Sequence, residues 1–232
     1  MGLEQAGEMK VLGLIPARGG SKSIPNKNLI DLGGSPLIKW TIDSAKKSSL
    51  SRVIVSTESD EIARVSQSFG VEVPFIRPIG LAQDDTQTID VVLHALSVLD
   101  EQFDAVMLLQ PTSPFRTSDD IESALTLFDN TSSVISVAAV DGSHPARMKY
   151  VEHGLLIDPP FVEEVENMPR QNLRPMYIRN GAVYLTSVTD LKKRTFKGEK
   201  CWALVMPKER SVNIDSNFDL LLARAMLNGG LV

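Results

Sequence analysis

Val11-Leu12-Gly13-Leu14-Ile15-Pro16-Ala17-Arg18-Gly19-Gly20-Ser21-Lys22-Ser23-Ile24-Pro25-Asn26-Lys27-Asn28-Leu29 begins as an uncharged apolar run and ends as a loop of glycines and cations. Residues 11–15 read as a buried strand, and the loop follows its carboxyl end. Gly19 and Gly20 allow backbone N–H groups to approach an anion closely, while Arg18, Lys22 and Lys27 supply positive charge for a polyphosphate. A solvated glycine-rich turn would look the same at this level. The loop carries neither the Gly-x-Gly-x-x-Gly dinucleotide fingerprint nor the Gly-x-x-x-x-Gly-Lys-Ser/Thr phosphate loop, which weakens both standard nucleotide readings.

Outward from this loop, short apolar runs at 52–55, 71–76, 105–109, 134–140, 182–185 and 202–206 read as further strands. Helical periods lie between them. The spacing predicts a helix over 36–47, with Ser35 as N-cap and Pro36 in the first turn, and another over 60–69 closed by Gly70. A third, over 88–99, puts Val91, Val92, Ala95, Leu96 and Leu99 on one face, and a fourth runs from a cap at Ser118 to Phe128. Strand and helix alternating in this way predict an α/β, Rossmann-like, mainly parallel sheet with helices on both faces. Ligands of such sheets bind beyond the carboxyl ends of the strands.

A chain of 232 residues with 43% hydrophobic content suits one domain, expected over 9–232 after a disordered leader at 1–8. The net charge of −5 argues against nucleic acid or an acidic membrane surface as the partner. A small anionic ligand needs only a few local cations. The single cysteine, Cys201, excludes an intrachain disulfide framework and a multi-cysteine metal site, and suits a reducing, cytoplasmic setting. No uncharged apolar stretch approaches the ~18 residues of a membrane span. The rhythm breaks over 141–178, where Pro145, Pro159, Pro160, Pro169 and Pro175 fall; so long an irregular excursion is usually functional or an oligomer contact. His94, His144 and His153 lack metal-ligand spacing.

The string from Ala17 to Asn28 resembles the signature loop of the acylneuraminate cytidylyltransferases, the CMP-sialic acid synthetases, whose pattern is close to Ala-Arg-x-x-Ser-Lys-x-x-Pro-x-Lys-Asn. Arg77-Pro78-Ile79-Gly80-Leu81-Ala82 with Asp84-Asp85-Thr86, and Leu109-Gln110-Pro111-Thr112-Ser113-Pro114-Phe115-Arg116, are similar to the next two blocks. Pro169-Arg170-Gln171, Asn180-Gly181-Ala182-Val183-Tyr184 and Ser211-Val212-Asn213-Ile214-Asp215 match three more in order. The resemblance implies the nucleotide-diphospho-sugar transferase type of fold, CTP and a nine-carbon 2-keto sugar acid as substrates, Mg²⁺, and a homodimer in which the excursion at 141–178 reaches the partner. CMP-Kdo synthetases differ after the Ala-Arg and lack the Lys27-Asn28 ending. A catalytically silent nucleotide-binding relative is the alternative from another class, and only Asn213, where the family generally has an aspartate, feeds it.

The resemblance assigns Ala17, Arg18, Gly19, Gly20, Ser21, Lys22, Lys27 and Asn28 to the nucleotide's phosphates and ribose, and Arg77 and Thr88 to the cytosine end. Thr88 could equally be a helix-start residue. Gln110, Arg147, Arg170 and Tyr184 fall to the sugar, Arg170 as a bidentate partner for its carboxylate. The alternatives are a turn-bracing Gln110, an Arg170 paired with Glu163, Glu164 or Glu166, and a core tyrosine at 184. Arg147 replaces the family's usual lysine, which keeps the charge and changes its shape. Arg116 is expected to brace its turn. Arg18, Lys27 and Asp215 are the catalytic expectation, with Asp215 and Asn213 as metal ligands, because Mg²⁺ takes oxygen donors and keeps several waters. Asp219 is instead expected in the first turn of a helix starting near Ser216.

Overall fold

The computed structural model describes residues 9–129, 132–140, 142–162 and 165–232, so the leader expected at 1–8 lies outside the described residues. In chain order, β1 (Val11–Pro16) is followed by a two-residue hairpin, β2 (Asp31–Leu32) and β3 (Ser35–Pro36), and by α1 (Leu37–Lys46). Then come β4 (Arg52–Ser56), α2 (Asp60–Ser68), α3 (Thr88–Val98), β5 (Ala105–Leu108), α4 (Ser118–Leu127) and β6 (Ser133–Ala139). A separate hairpin, β7 (Tyr150–Glu152) with β8 (Leu155–Ile157), precedes β9 (Tyr177–Ser187), α5 (Val188–Lys192), β10 (Cys201–Val205) and α6 (Asn217–Asn228).

Among the described residues the main sheet has the order β10-β6-β9-β5-β1-β4. All its pairings are parallel except those of β9, which runs antiparallel between β5 and β6. The mainly parallel α/β sheet with helices on both faces is therefore present, with one reversed strand. Burial on both faces accounts for the unbroken apolar runs. Val11 and Ile15 of β1 join Ile38 and Ile42 of α1, Ile62 of α2 and Ile121 of α4 on one face. Leu12 and Leu14 join Ile89 and Val92 of α3 and Leu191 of α5 on the other.

A third apolar cluster sets the geometry of the site. Leu220, Ala223 and Met226 of α6 pack on Ile24, Leu32, Leu37, Phe115 and Ile214. Ile24 belongs to the first loop and Ile214 sits next to Asp215, so burying both draws two distant segments to one edge of the sheet. Each such buried side chain contributes roughly 1.5–3 kcal/mol.

Local expectations hold in part. The run at 71–76 forms only two isolated bridges, Ile54 with Glu72 and Thr57 with Ile76. Pro74 between them has no N–H to donate, and such a residue interrupts a ladder and belongs at a sheet edge. Ser35 does not cap α1, because it pairs in the β2–β3 hairpin and the helix starts one residue after Pro36. The cap of α4 is Thr117 rather than Ser118, in a reciprocal capping box with Asp120. Ser216 and Asp219 make the same box at α6. The excursion holds the β7–β8 hairpin and two single-turn 3-10 helices, and leaves Val151, Leu155 and Leu156 largely in solvent, Leu156 at 74%.

Candidate active site

The carboxyl ends of β1 and β5 open into a cleft of about 500 Å³. Its walls include Arg18, Ser21, Lys22, Lys27 and Asn28 from the first loop, Arg77 and Asp84 from the segment before α3, Thr88 at the start of α3, Gln110 after β5, and Asp215. Nine expected site residues thus meet at one opening, with Asp84 added. Thr88 is also the first residue of its helix, so both of its readings describe its position.

Four cations line this cleft, each matched to a carboxylate. Arg18 Nη1 lies 2.9 Å from Asp84 Oδ1 and also donates to the Gln83 carbonyl at 3.3 Å. Lys22 Nζ pairs with the other oxygen of Asp84 at 2.5 Å. The hydrogen bond from Lys22, followed by that from Arg18, holds the Asp84 carboxyl below its ordinary pKa. Lys27 Nζ donates to the Ile214 carbonyl and to Asp215 Oδ1, both at 3.1 Å. The lysine side chain is 14% exposed and the aspartate 64%, so the cation is fixed and sheltered while the carboxylate faces the opening. Asn28 Nδ2 donates to the Arg18 carbonyl at 2.8 Å and fixes the loop's shape from within.

Arg77 is only 3% exposed and is paired with Glu58, whose Oε2 lies 2.7 Å from Nη2. The other oxygen, Glu58 Oε1, accepts the Gly19 N–H at 2.6 Å. The anion that meets the Gly19 N–H is therefore a carboxylate of the protein itself, which corrects the expectation of a phosphate contact there. A Cβ at Gly19 would come within 3.1 Å of Ser59 Cβ, so the close approach of this loop to the start of α2 favours glycine. Burial pushes the Glu58 pKa up, but the hydrogen bonds from Arg77 and Gly19 outweigh it and leave the carboxyl below its ordinary value. Ala17 is wholly buried under the loop, donating its N–H to the Ser56 carbonyl at 3.0 Å, and Gly20 is exposed; neither forms part of the cleft wall.

Gln110 is placed by its neighbours. Gly181 has φ +78°, where a side chain would be strained, and a Cβ there would stand 2.9 Å from Gln110 Oε1 and push the amide from its place. Below it, Arg116 is 2% exposed and donates from Nη1 to the Ala182 carbonyl at 2.8 Å and, at 3.4 Å, to those of Ser113 and Gln110. Burial lowers its pKa to about 9, with Asp120 opposing, so it stays charged at neutral pH and braces the turn as expected. Asn213 is half-buried behind Asp215: its amide donates to Asp215 Oδ2, and its carbonyl oxygen accepts from Ser113 Oγ at 3.5 Å. Asp219 is taken up by the cap of α6, where bonds from Ser216 hold its carboxyl low.

The structure does not bring the remaining sugar candidates to this cleft within one chain. Tyr184 is half-buried against Phe196, ring centroids 5.8 Å apart, and burial raises its pKa. Arg147 donates to the Met168 carbonyl at 2.7 Å and lines a separate hollow with Lys149, Asp158 and Glu166. Arg170 is exposed in a 3-10 turn, and Glu163 and Glu164, its alternative partners, lie outside the described residues. Glu58 and Asp84 were given no role by sequence reasoning. The position of Glu58 two residues past β4, at the same carboxyl edge as Arg18, was the signal available for it.

Residues 12–154 match the family model described as cytidylyltransferase. The chain belongs to the cytidylyltransferase family. Within it, the chain is 34% identical to the CMP-N,N'-diacetyllegionaminic acid synthase of Legionella pneumophila over 94% of its own length and 97% of that protein's. It is 32% identical to the N-acylneuraminate cytidylyltransferase of Escherichia coli O18:K1:H7, covering 92% of this chain but 51% of that one, so it spans about half the length of this relative. Among solved structures, CMP:2-keto-3-deoxy-manno-octonic acid synthetase complexed with CTP superposes with a TM-score of 0.71 over 95% of this chain and 99% of that one. At 16% identity that likeness concerns the fold. The cytidylyltransferase match thus includes the first loop, Arg77, Asp84 and Gln110 of the cleft wall, together with Glu58 behind it.

Among the described residues no group of three or more His, Cys, Asp or Glu side chains could hold a metal by itself, and none of the helices is long and apolar enough to cross a membrane. Of the two exposed carboxylates of the cleft wall, Asp84 is shared by Arg18 and Lys22, and Asp215, the more exposed, suits an ion that takes most of its oxygen ligands from phosphates and water. The donor set therefore fits Mg²⁺ that enters with a nucleotide.

Proposed function

We propose that this cytidylyltransferase joins CMP, drawn from CTP, to the anomeric hydroxyl of a nine-carbon nonulosonic sugar acid and releases pyrophosphate. The observation that carries the reading is the convergence of Arg18, Lys22, Lys27 and Arg77 on one cleft at the carboxyl edge of the sheet. A triphosphate brings several negative charges, and the three first-loop cations, Arg18, Lys22 and Lys27, are suited to receive them. In the reaction the anomeric oxygen attacks the α-phosphorus in line, the bond from that phosphorus to the bridging oxygen breaks, and pyrophosphate leaves with the bonding pair. The hydroxyl proton passes to solvent.

The chemistry asks the protein for positioning and for neutralisation of developing charge. Arg18 and Lys22 hold the polyphosphate against the loop, displacing the carboxylate of Asp84. Lys27 stands opposite them beside Asp215 and meets the charge that grows on the phosphates. Gln110, wedged over Gly181, orients the sugar, while Arg77 and Thr88 meet the base. Asp215 would hold Mg²⁺, which supplies further neutralisation at the phosphates when bound; Asn213 supports it from behind. The protein works as a homodimer in which the β7–β8 hairpin, apolar and exposed at Val151, Leu155 and Leu156, packs on the partner and presents Arg147 and Arg170 to the sugar.

Pyrophosphate release from CTP tests the reading with N-acetylneuraminic, legionaminic and pseudaminic acids in turn, and with UTP, ATP and GTP in place of CTP. Release with CTP and at least one acid is expected. Binding of CTP without release from any acid would reduce the protein to a nucleotide-binding module. Sedimentation of a fully active monomer would remove the partner's contribution.

A further inference from the structure

Glu58 is not in the wall of the cleft, yet it touches two elements that are. One carboxylate oxygen accepts the Gly19 N–H at 2.6 Å and the other lies 2.7 Å from Arg77 Nη2. The glutamate side chain is 10% exposed, so this is a buried charge pair with little solvent to replace either partner. Its seat is fixed independently. The Arg77 N–H donates to the Thr57 carbonyl at 2.8 Å, and the Ser59 N–H to Thr57 Oγ1 at 3.1 Å, which holds residues 57–59 as a platform between β4 and α2. Arg77 Nε is buried without a hydrogen-bond partner among the described residues, so the direction of this guanidinium depends heavily on Glu58.

We propose that Glu58 is a positioning residue for the nucleotide: one carboxylate couples the first loop to Arg77, so that the phosphate-binding cations and the base-contacting arginine are held in one geometry. The inference rests on the reading that the cleft receives CTP. The carboxylate stays ionised in this buried place because Arg77 and the Gly19 N–H both stabilise its charge. Removing the charge while leaving Arg77 would strand a buried guanidinium, which then swings toward the cleft or toward water, and would free Gly19 to move. Since the base and the triphosphate are bound by parts that Glu58 joins, the loss should fall on nucleotide affinity and base selectivity more than on the saturated rate.

The test compares wild type with Glu58→Gln, Glu58→Asp, Arg77→Met and the Glu58→Gln/Arg77→Met double variant. KM for CTP, kcat and the CTP to UTP preference are measured by pyrophosphate release, with CTP affinity from calorimetry. Glu58→Gln should raise KM roughly tenfold or more, the range lost with a charge-assisted hydrogen bond, and erode the CTP preference. Glu58→Asp, which keeps the charge on a shorter stem, should recover part of both. In the double variant the two losses should combine to less than their product, because they share one contact. A purely structural Glu58 would lower kcat through loss of folded protein and leave KM and base preference unchanged; that result, or fully multiplicative losses, overturns the proposal. If Glu58→Gln does not fold, the double variant buries no unpaired charge, and its comparison with Arg77→Met and Glu58→Asp decides the same question. Wild-type protein that neither binds nor turns over CTP overturns both this inference and the proposed function, whereas an active wild type with an indifferent Glu58→Gln overturns only this one.

Discussion

Replacing Lys27 by alanine removes the most sheltered of the three first-loop cations of the cleft. Its side chain is 14% exposed and its Nζ is held by the Ile214 carbonyl and Asp215, each at 3.1 Å. Two costs follow, and their sizes separate them. The fold loses a charge-assisted hydrogen bond to a backbone carbonyl, about 1.5–3 kcal/mol, and an ion pair whose aspartate is mostly in water, about 0–1 kcal/mol. Against a total stability of about 5–15 kcal/mol, even the larger loss leaves most of the protein folded at 25 °C. The reaction loses a donor aimed at growing phosphate charge, which costs roughly 10²–10³-fold in rate, or about 2.7–4 kcal/mol. Pyrophosphate release at saturating CTP and sugar acid should therefore fall by about 10²-fold or more in Lys27→Ala, with the thermal unfolding midpoint lowered by roughly 3–16 °C. A folded variant within about threefold of the wild-type rate would show that Lys27 serves the loop's structure and that the charge argument is wrong.

Other outcomes follow from the same geometry. Asp84→Asn removes the carboxylate that Arg18 and Lys22 share, so inorganic pyrophosphate should bind several-fold more tightly by calorimetry, most clearly at low salt; weaker binding would mean that Asp84 serves the ligand. Asp215→Ala should abolish metal-dependent turnover while leaving much of the loop's affinity for CTP, and Asn213→Asp should raise the affinity for Mg²⁺ without nucleotide; tight Mg²⁺ binding to the nucleotide-free wild type would refute this placement. His94 packs edge-on against Phe75 at 5.1 Å, and burial, then the charge of Arg77, lowers its pKa below 6.5. Because the unfolded state takes up the proton first, the stability due to His94 is present above pH 6.5 and is lost as pH falls through the lower folded value. Unfolding midpoints measured from pH 7.5 down to pH 5 should decline less steeply in His94→Phe than in wild type, and an unchanged slope would remove the histidine from the account.

The parts of the molecule legible in the amino-acid sequence are those governed by neighbours along the chain. Val11 to Ile15 is an apolar run because β1 is covered on both faces, and Arg18, Lys22 and Lys27 follow it closely enough that their shared loop could be read directly. The capping box at Ser216 and Asp219 is equally local, which is why Asp219 could be kept out of the site. Where the reading failed, a longer-range contact prevailed: Ser35 was drawn into the β2–β3 hairpin, and the run at 71–76 was cut by Pro74 at the edge of the sheet. Only the tertiary structure joins Lys27 to Asp215 across 188 positions, or Gly19 to Glu58 across 39. These contacts are set by the packing of α6 on Ile24 and Ile214 and by the parallel pairing of β1 with β4, and no local pattern records them. The sequence by itself determined the residue types for binding a polyphosphate at a strand end, because charge and backbone freedom are local properties. Which carboxylate meets which cation, and that the Gly19 N–H is claimed by the protein itself, was decided by side chains that become neighbours only when both faces of the sheet are buried.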